Sequence, residues 1–219
     1  MNQLNSHFEL AMSKPSREEQ KARTRALLLD ATLNLVEELG SFASVSIREI
    51  TKRAGVTPTS FYRHFKDVDE LGLELVDEVG LSLRKIIRTG RQADFSSQQM
   101  IRQSLEIYVN YIEQNREHFI FALQSRTGGP KAIQNAIRSE FRFFTLELVN
   151  DLTAMKLLPN INASDMEMIA ELVVNTVAFG TVDLLDETIS PERRKEVIDK
   201  TEKQMIVVFM GAAHWKSKS

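Results

Sequence analysis

The stretch Ser46-Ile-Arg-Glu-Ile-Thr-Lys-Arg-Ala-Gly-Val-Thr-Pro-Thr-Ser-Phe-Tyr-Arg-His-Phe65 decides how this chain is read. Ser46 and Glu49 have the spacing of a capping box, in which each side chain satisfies a backbone N–H at a helix start. A helix is therefore expected from Ser46 to Arg53, stopping at Ala54-Gly55-Val56. The turn is expected to need a positive φ at Gly55, which glycine adopts without steric cost. Thr57 can cap a second short helix, and Pro58 suits its first position because the missing N–H is not needed there. That helix is expected to end near Phe65. Two short helices joined by a tight glycine turn make a helix-turn-helix. Ile47, Ile50, Ala54, Val56, Phe61 and Phe65 are the residues expected to pack it onto the helix before it.

What remains outside that packing is polar. Thr57, Thr59, Ser60, Tyr62, Arg63 and His64, with Pro58 at the start, form the exposed face of the second helix. Hydroxyls and tyrosine reach phosphates, and arginine reads guanine through paired hydrogen bonds. Arg48 and Lys52, with Ser46 at the cap, are placed to meet a groove edge or backbone from the first helix. Lys66 and the N-terminus of the next helix offer a charge and free N–H groups to a further phosphate. A helical hairpin with a merely solvated polar face would show the same local pattern.

Outward from this segment, apolar residues repeat almost everywhere with helical spacing, and alternating strand-like runs are missing. An all-α fold of about nine helices is expected. The helix before the motif spans about Ser16–Leu39, with Leu28, Ala31, Leu35 and Leu39 as its apolar stripe, Thr32 and Val36 beside it, and Gly40 as C-cap. The helix after it begins at Asp67 and runs to about Thr89. Further helices are expected near 97–114, 116–124, 131–155, 164–187 and 191–211. Breakers stand at Thr127-Gly128-Gly129-Pro130 and from Pro159 to Asn162, a second capping box at Ser164 and Glu167, and a cap-plus-proline start at Ser190-Pro191. The expected division is a disordered arm over 1–13, a helix-turn-helix DNA-binding domain over 14–66, and a helical domain over 67–219.

Bulk properties agree. The 219 residues are 42% hydrophobic, enough for a substantial core, and contain no cysteine. Net charge is −2 overall. Lys14 to Lys66, however, holds ten basic against six acidic residues, leaving the remainder acidic. A basic end on an acidic body suits polyanion binding, although ordinary charge fluctuation gives the same count. No signal peptide or membrane span is read, so a cytoplasmic protein with no membrane partner is expected, and the sequon Asn162-Ala163-Ser164 is taken as a chance match. The four histidines are scattered and no His-Glu-x-x-His, G-x-S-x-G or phosphate loop occurs, so no catalytic residue, metal site or cofactor is expected.

The segment from Ser46 to Phe65 with Leu71, and the run from Arg25 to Gly40, resemble the DNA-binding domain of the TetR family of transcriptional regulators, over about residues 16–90. One departure is Val68, where the family usually has lysine. The stretches Ser41–Glu49, Pro58–Phe65 and Asp67–Leu73, Val68 included, look like the FabR/DesT-type repressors of unsaturated fatty-acid synthesis. The resemblance implies a homodimeric repressor on a palindromic double-stranded operator, with a C-terminal helical ligand-binding and dimerisation domain over 67–219, answering a small hydrophobic effector, a long-chain acyl thioester carried on coenzyme A or acyl carrier protein. The alternative is a drug-sensing regulator of an efflux gene. A third reading, a helical enzyme or interaction module with a vestigial helix-turn-helix, also stays open.

Beyond residue 90 the apolar residues have several possible uses. Leu172, Val173, Val174, Val177, Ala178, Phe179 and Val182 form one band, and Met205, Ile206, Val208, Phe209 and Ala212 another. A two-fold four-helix bundle between chains would use both, as would an ordinary core. For the ligand, Leu105, Tyr108 and Ile112 share one helix face, Phe119 and Leu123 another, and Phe141, Phe144 and Leu148 a third, with Asn175 as a polar point. Together they would make an apolar tube suited to an acyl chain, or simply core. Arg126, Arg138 and Arg142 are either phosphate partners or solvated surface.

Overall fold

Ser16 begins the first helix through a reciprocal cap. Its hydroxyl accepts from the Glu19 N–H, and Glu19 accepts from the Ser16 N–H. In the computed structural model, which describes residues 16–91, 100–186 and 188–217, this helix, α1, spans Arg17–Leu39 and closes on Gly40 at φ 69°. The arm expected over 1–13 lies outside the described residues. A 3-10 turn over Phe42–Ser44 follows, then α2 (Ile47–Ala54), α3 (Pro58–Tyr62) and α4 (Val68–Arg91). The body comprises α5 (Met100–Gln114), α6 (Arg116–Gly128), α7 (Lys131–Ala154), α8 (Ala163–Leu184) and α9 (Pro191–His214). Every element among the described residues is helical, as expected.

α1 is buried on a wider arc than its predicted stripe. Leu29 and Leu33 join Leu28, Ala31, Leu35 and Val36 in the core, because α2 packs on one side of the helix and α6 on the other. Leu39 is a correction: at the helix end, beside Gly40, it is 44% exposed. Phe42, on the 3-10 turn, is buried edge-on against Phe121 of α6 at 5.3 Å between ring centroids. The largest core cluster therefore crosses the expected boundary at residue 66. It joins Ile50, Phe61 and Phe65 to Leu71, Leu75 and Val76 of α4 and to Phe121, Ile133 and Ile137 of the body.

α4 fits against α7 because it is thin at two points. A Cβ on Gly72 would stand 2.5 Å from Phe42 Cζ and 2.8 Å from Ile133 Cδ1, and the Glu140 carboxylate occupies the space a Cβ on Gly80 would take. Glu140 also pairs with Arg84 at 2.5 Å, and the Arg84 guanidinium lies 4.4 Å from the Phe143 ring centroid. In the rest of the body, α8 packs on α7 and α9, and α9 also packs on α5.

Several boundaries differ from expectation: α3 ends at Tyr62, before Phe65, α8 at Leu184 and α9 at His214, and two further differences have a local cause. The capping box at Ser164 and Glu167 does not form. Asn162 Oδ1 accepts from the Asp165 N–H at 2.8 Å, so α8 starts at Ala163 with Asn162 as its cap. The helix expected to stop near residue 124 runs to Gly128 and breaks at Gly129, whose backbone is extended.

Candidate DNA-binding surface and ligand cavity

α2 and α3 present the polar face that the sequence predicts. The capping box at Ser46 forms fully: Glu49 N–H donates to Ser46 Oγ at 3.3 Å, and the Ser46 N–H and hydroxyl donate to Glu49 Oε2 at 3.1 and 2.6 Å. Ser46 is thus committed to holding α2. Gly55 turns the chain at φ 68°, ψ 28°. Thr57 Oγ1 accepts from the Ser60 N–H at 3.2 Å, with Pro58 in the first turn. Since α3 is only five residues long, Phe61 is its single buried side chain. Thr57, Pro58, Thr59, Tyr62, Arg63 and Lys66 are exposed and Ser60 is half-buried. Tyr62 is 60% exposed and rests edge-on against Phe61. Arg48 and Lys52 stand exposed one turn apart on α2.

His64 departs from this picture. It is half-buried, its Nδ1 is buried without a hydrogen-bond partner, and its pKa is lowered by burial and by the nearby charges of Arg25, Lys21 and Arg63. It is therefore a neutral ring at the edge of the face. The same electrostatics place Lys21, which is exposed on α1, at that edge. Lys21 was not singled out from the sequence, and only the charge surplus from Lys14 to Lys66 pointed to it. Arg25 is spent internally: it pairs with Glu74 of α4 at 2.5 Å, lies 4.7 Å from the Phe65 ring centroid, and donates to the His64 carbonyl.

The free N–H groups expected at the start of α4 are partly taken. Glu70 N–H donates to Asp67 Oδ1 at 2.8 Å, and the Lys66 N–H donates to the Glu70 carboxylate. With Asp67, Asp69 and Glu70 around it, this terminus is acidic and poorly suited to phosphate. The Lys66 side chain remains available beside it.

The body holds a cavity of about 520 Å³ between the end of α6, α7 and α8. Of the residues expected to line a ligand site, Phe141 and Asn175 line this cavity. Among the described residues the expected apolar tube is closed by packing: Leu105 packs with Val173 and Met205, and Ile112, Phe119, Tyr108 and Leu123 form a separate packed cluster. Tyr108 is half-buried as a residue but its hydroxyl points inward, 2.8 Å from Thr181 Oγ1, and burial there pushes its pKa up to about 12. Leu148 bridges two core clusters, and Phe144 lies against Phe143. These faces were legible as apolar, but periodicity cannot tell a helix face that meets a cavity from one that meets another helix. The cavity wall is instead mixed, with exposed Arg126, Arg138 and Arg142 from α6 and α7 facing exposed Glu167 and Glu171 from α8 beside apolar surface from Phe141 and Val174.

Among the described residues, no group of three or more potential ligand side chains converges as a metal site, and no helix is long and apolar enough to cross a membrane. Residues 28–75 match the family model described as bacterial regulatory proteins of the tetR family, and residues 97–210 match the tetracyclin repressor-like C-terminal domain. Solved structures share the fold. A protein assigned to the TetR family from Syntrophomonas wolfei aligns at TM-score 0.69 and 15% identity, over 86% of this chain and 95% of its own. A TetR-like regulator from Rhodococcus sp. RHA1 aligns at TM-score 0.66 and 19% identity, over 92% of this chain and 100% of its own. SmeT in complex with triclosan aligns at TM-score 0.60 and 22% identity, over 81% of this chain and 89% of its own. Proteins of this kind are DNA-binding transcription factors rather than enzymes, and they act as dimers that respond to small molecules. With a helix-turn-helix head and a helical C-terminal body both matched, the chain belongs to the TetR family of transcriptional regulators.

Proposed function

We propose that this regulator is a repressor that binds a palindromic operator as a homodimer, in the cytoplasm, and controls genes of unsaturated fatty-acid synthesis in response to long-chain acyl-CoA or acyl carrier protein thioesters. The observation that carries the DNA half is the exposed polar face from Thr57 to Arg63 on a helix held only by Phe61. In this reading Tyr62 and Arg63 contact the duplex, Arg48, Lys52, Lys21 and Lys66 meet phosphates, and residues 67–219 carry the effector and the dimer.

A dimer is supported by an unpartnered apolar stripe. Met168, Leu172, Phe179 and Val182 lie at helical spacing along α8, and all four are exposed. Ile206, Val207 and Met210 are exposed on the neighbouring α9. Such a pair of helices meeting its two-fold copy makes a four-helix bundle and sets two α3 helices about one DNA turn apart.

The fatty-acid assignment rests on the flanks of the motif, Ser41–Glu49 and Asp67–Leu73 with Val68. The acidic wall of the cavity, Glu167 and Glu171, favours a second reading, a sensor of cationic drugs beside an efflux gene. Gel-shift titration on the promoters of fatty-acid synthesis and efflux genes, with and without oleoyl-CoA, palmitoyl-CoA or a cationic dye, separates the two. Binding to a lipid-gene promoter that steepens at low salt and changes with acyl-CoA supports the first. Response to the dye alone overturns it.

A further inference from the structure

The cavity between α6, α7 and α8 is lined by five exposed charges that pair with no opposite charge among the described residues. Arg126, Arg138 and Arg142 form one wall, and Glu167 and Glu171 the other. None of the five makes an ion pair among the described residues, although they face one space of about 520 Å³. Arg126 is held in place without being neutralised: its guanidinium lies 4.3 Å from the Phe141 ring centroid and donates to Asn175 Oδ1 at 3.4 Å. Arg138 reaches Asn135 Oδ1 at 3.5 Å, and the exposed Arg142 makes no side-chain hydrogen bond among the described residues. Three guanidinium forks that converge on a cavity and meet no carboxylate have the donor geometry for a planar or tetrahedral oxyanion.

The same space also has an apolar floor, to which Phe141 and Val174 contribute. Methylenes laid against the charged wall would strip water from the guanidinium groups and return no hydrogen bonds, so that wall suits an anionic head rather than a chain. We propose that this cavity binds the anionic group, phosphate or carboxylate, of the effector, on Arg126, Arg138 and Arg142. Glu167 and Glu171 repel a second anion and so turn the bound group toward α7. This placement rests on the reading that the protein answers an acyl thioester only for the identity of the effector, since the arginine wall stands without it.

Isothermal titration of the intact dimer tests this, with coenzyme A, inorganic pyrophosphate and palmitate as probes. The comparison proteins are the double variants R138Q/R142Q and E167Q/E171Q, with melting curves as the folding control. Coenzyme A and pyrophosphate are expected to bind the wild-type protein and to weaken at least tenfold in R138Q/R142Q. Pyrophosphate is expected to bind more tightly in E167Q/E171Q. Palmitate binding that shows the same arginine dependence, with no phosphate binding, identifies a carboxylate as the source. No binding of any probe, or affinities equal in wild type and R138Q/R142Q, overturns the site. An operator response to palmitoyl-CoA that ignores the arginines leaves the lipid reading standing and this site refuted. Arginine-dependent coenzyme A binding with no operator response to any acyl-CoA does the reverse.

Discussion

His64 and Gly55 show how much single residues decide at the reading edge. His64 lies among Arg25, Lys21 and Arg63 with a buried ring nitrogen, and burial, then those charges, lower its pKa below the ordinary histidine value. The unfolded chain therefore takes up a proton first as pH falls through about 6.5. Stability contributed by the neutral ring is complete above that pH and is lost as pH drops toward the folded-state value. Urea midpoints at pH 7.5 and 5.5 are expected to fall further apart in the wild type than in H64Q. Gly55 has open space around its Cα, so a Cβ meets nothing within 4 Å, but its φ of 68° lies in the left-handed region. Gly55→Ala is expected to lose about 1 kcal/mol through backbone conformation alone. Denaturant unfolding checks this, and a neutral result would mean the turn can relax.

At the scale of elements, α4 is the piece that both halves hold. Arg25, through Glu74, ties it to α1 and to the end of α3, while Glu140, through Arg84, ties it to α7. Its closeness to α7 depends on Gly72. Gly72→Ala puts a methyl 2.5 Å from Phe42 Cζ and 2.8 Å from Ile133 Cδ1. Overpacking of this kind costs about 1–3 kcal/mol, and thermal melting is expected to show it. Because α4 links the helix-turn-helix head to the helical C-terminal body, the same variant is expected to alter operator affinity measured by gel shift, even at temperatures where it is folded. Unchanged affinity would show that the α4–α7 spacing does not set the position of α3.

At the scale of the whole molecule, the exposed stripe on α8 and α9 is the largest feature unexplained by one chain. Phe179 is 76% exposed, Val207 67% and Met210 62%. The double variant F179E/M210E is expected to sediment as a monomer and to lose operator binding, while its helical content is kept. A variant that stays dimeric would place the interface elsewhere.

Local chemistry alone determined the helix-turn-helix. Ser46, Glu49, Gly55, Thr57 and Pro58 act through bonds and dihedrals within a few residues of themselves, so their roles follow from spacing, and each is found in the expected place. Most helices were legible for the same reason, from caps and apolar period. What lies between helices was not. Whether Leu105 or Phe119 meets a ligand or another side chain depends on residues far away in the chain, and tertiary packing placed both in closed clusters. The convergence of Arg126, Arg138 and Arg142 with Glu167 and Glu171 was likewise decided only by how α6, α7 and α8 meet, because charge is visible in a sequence but its partners are not.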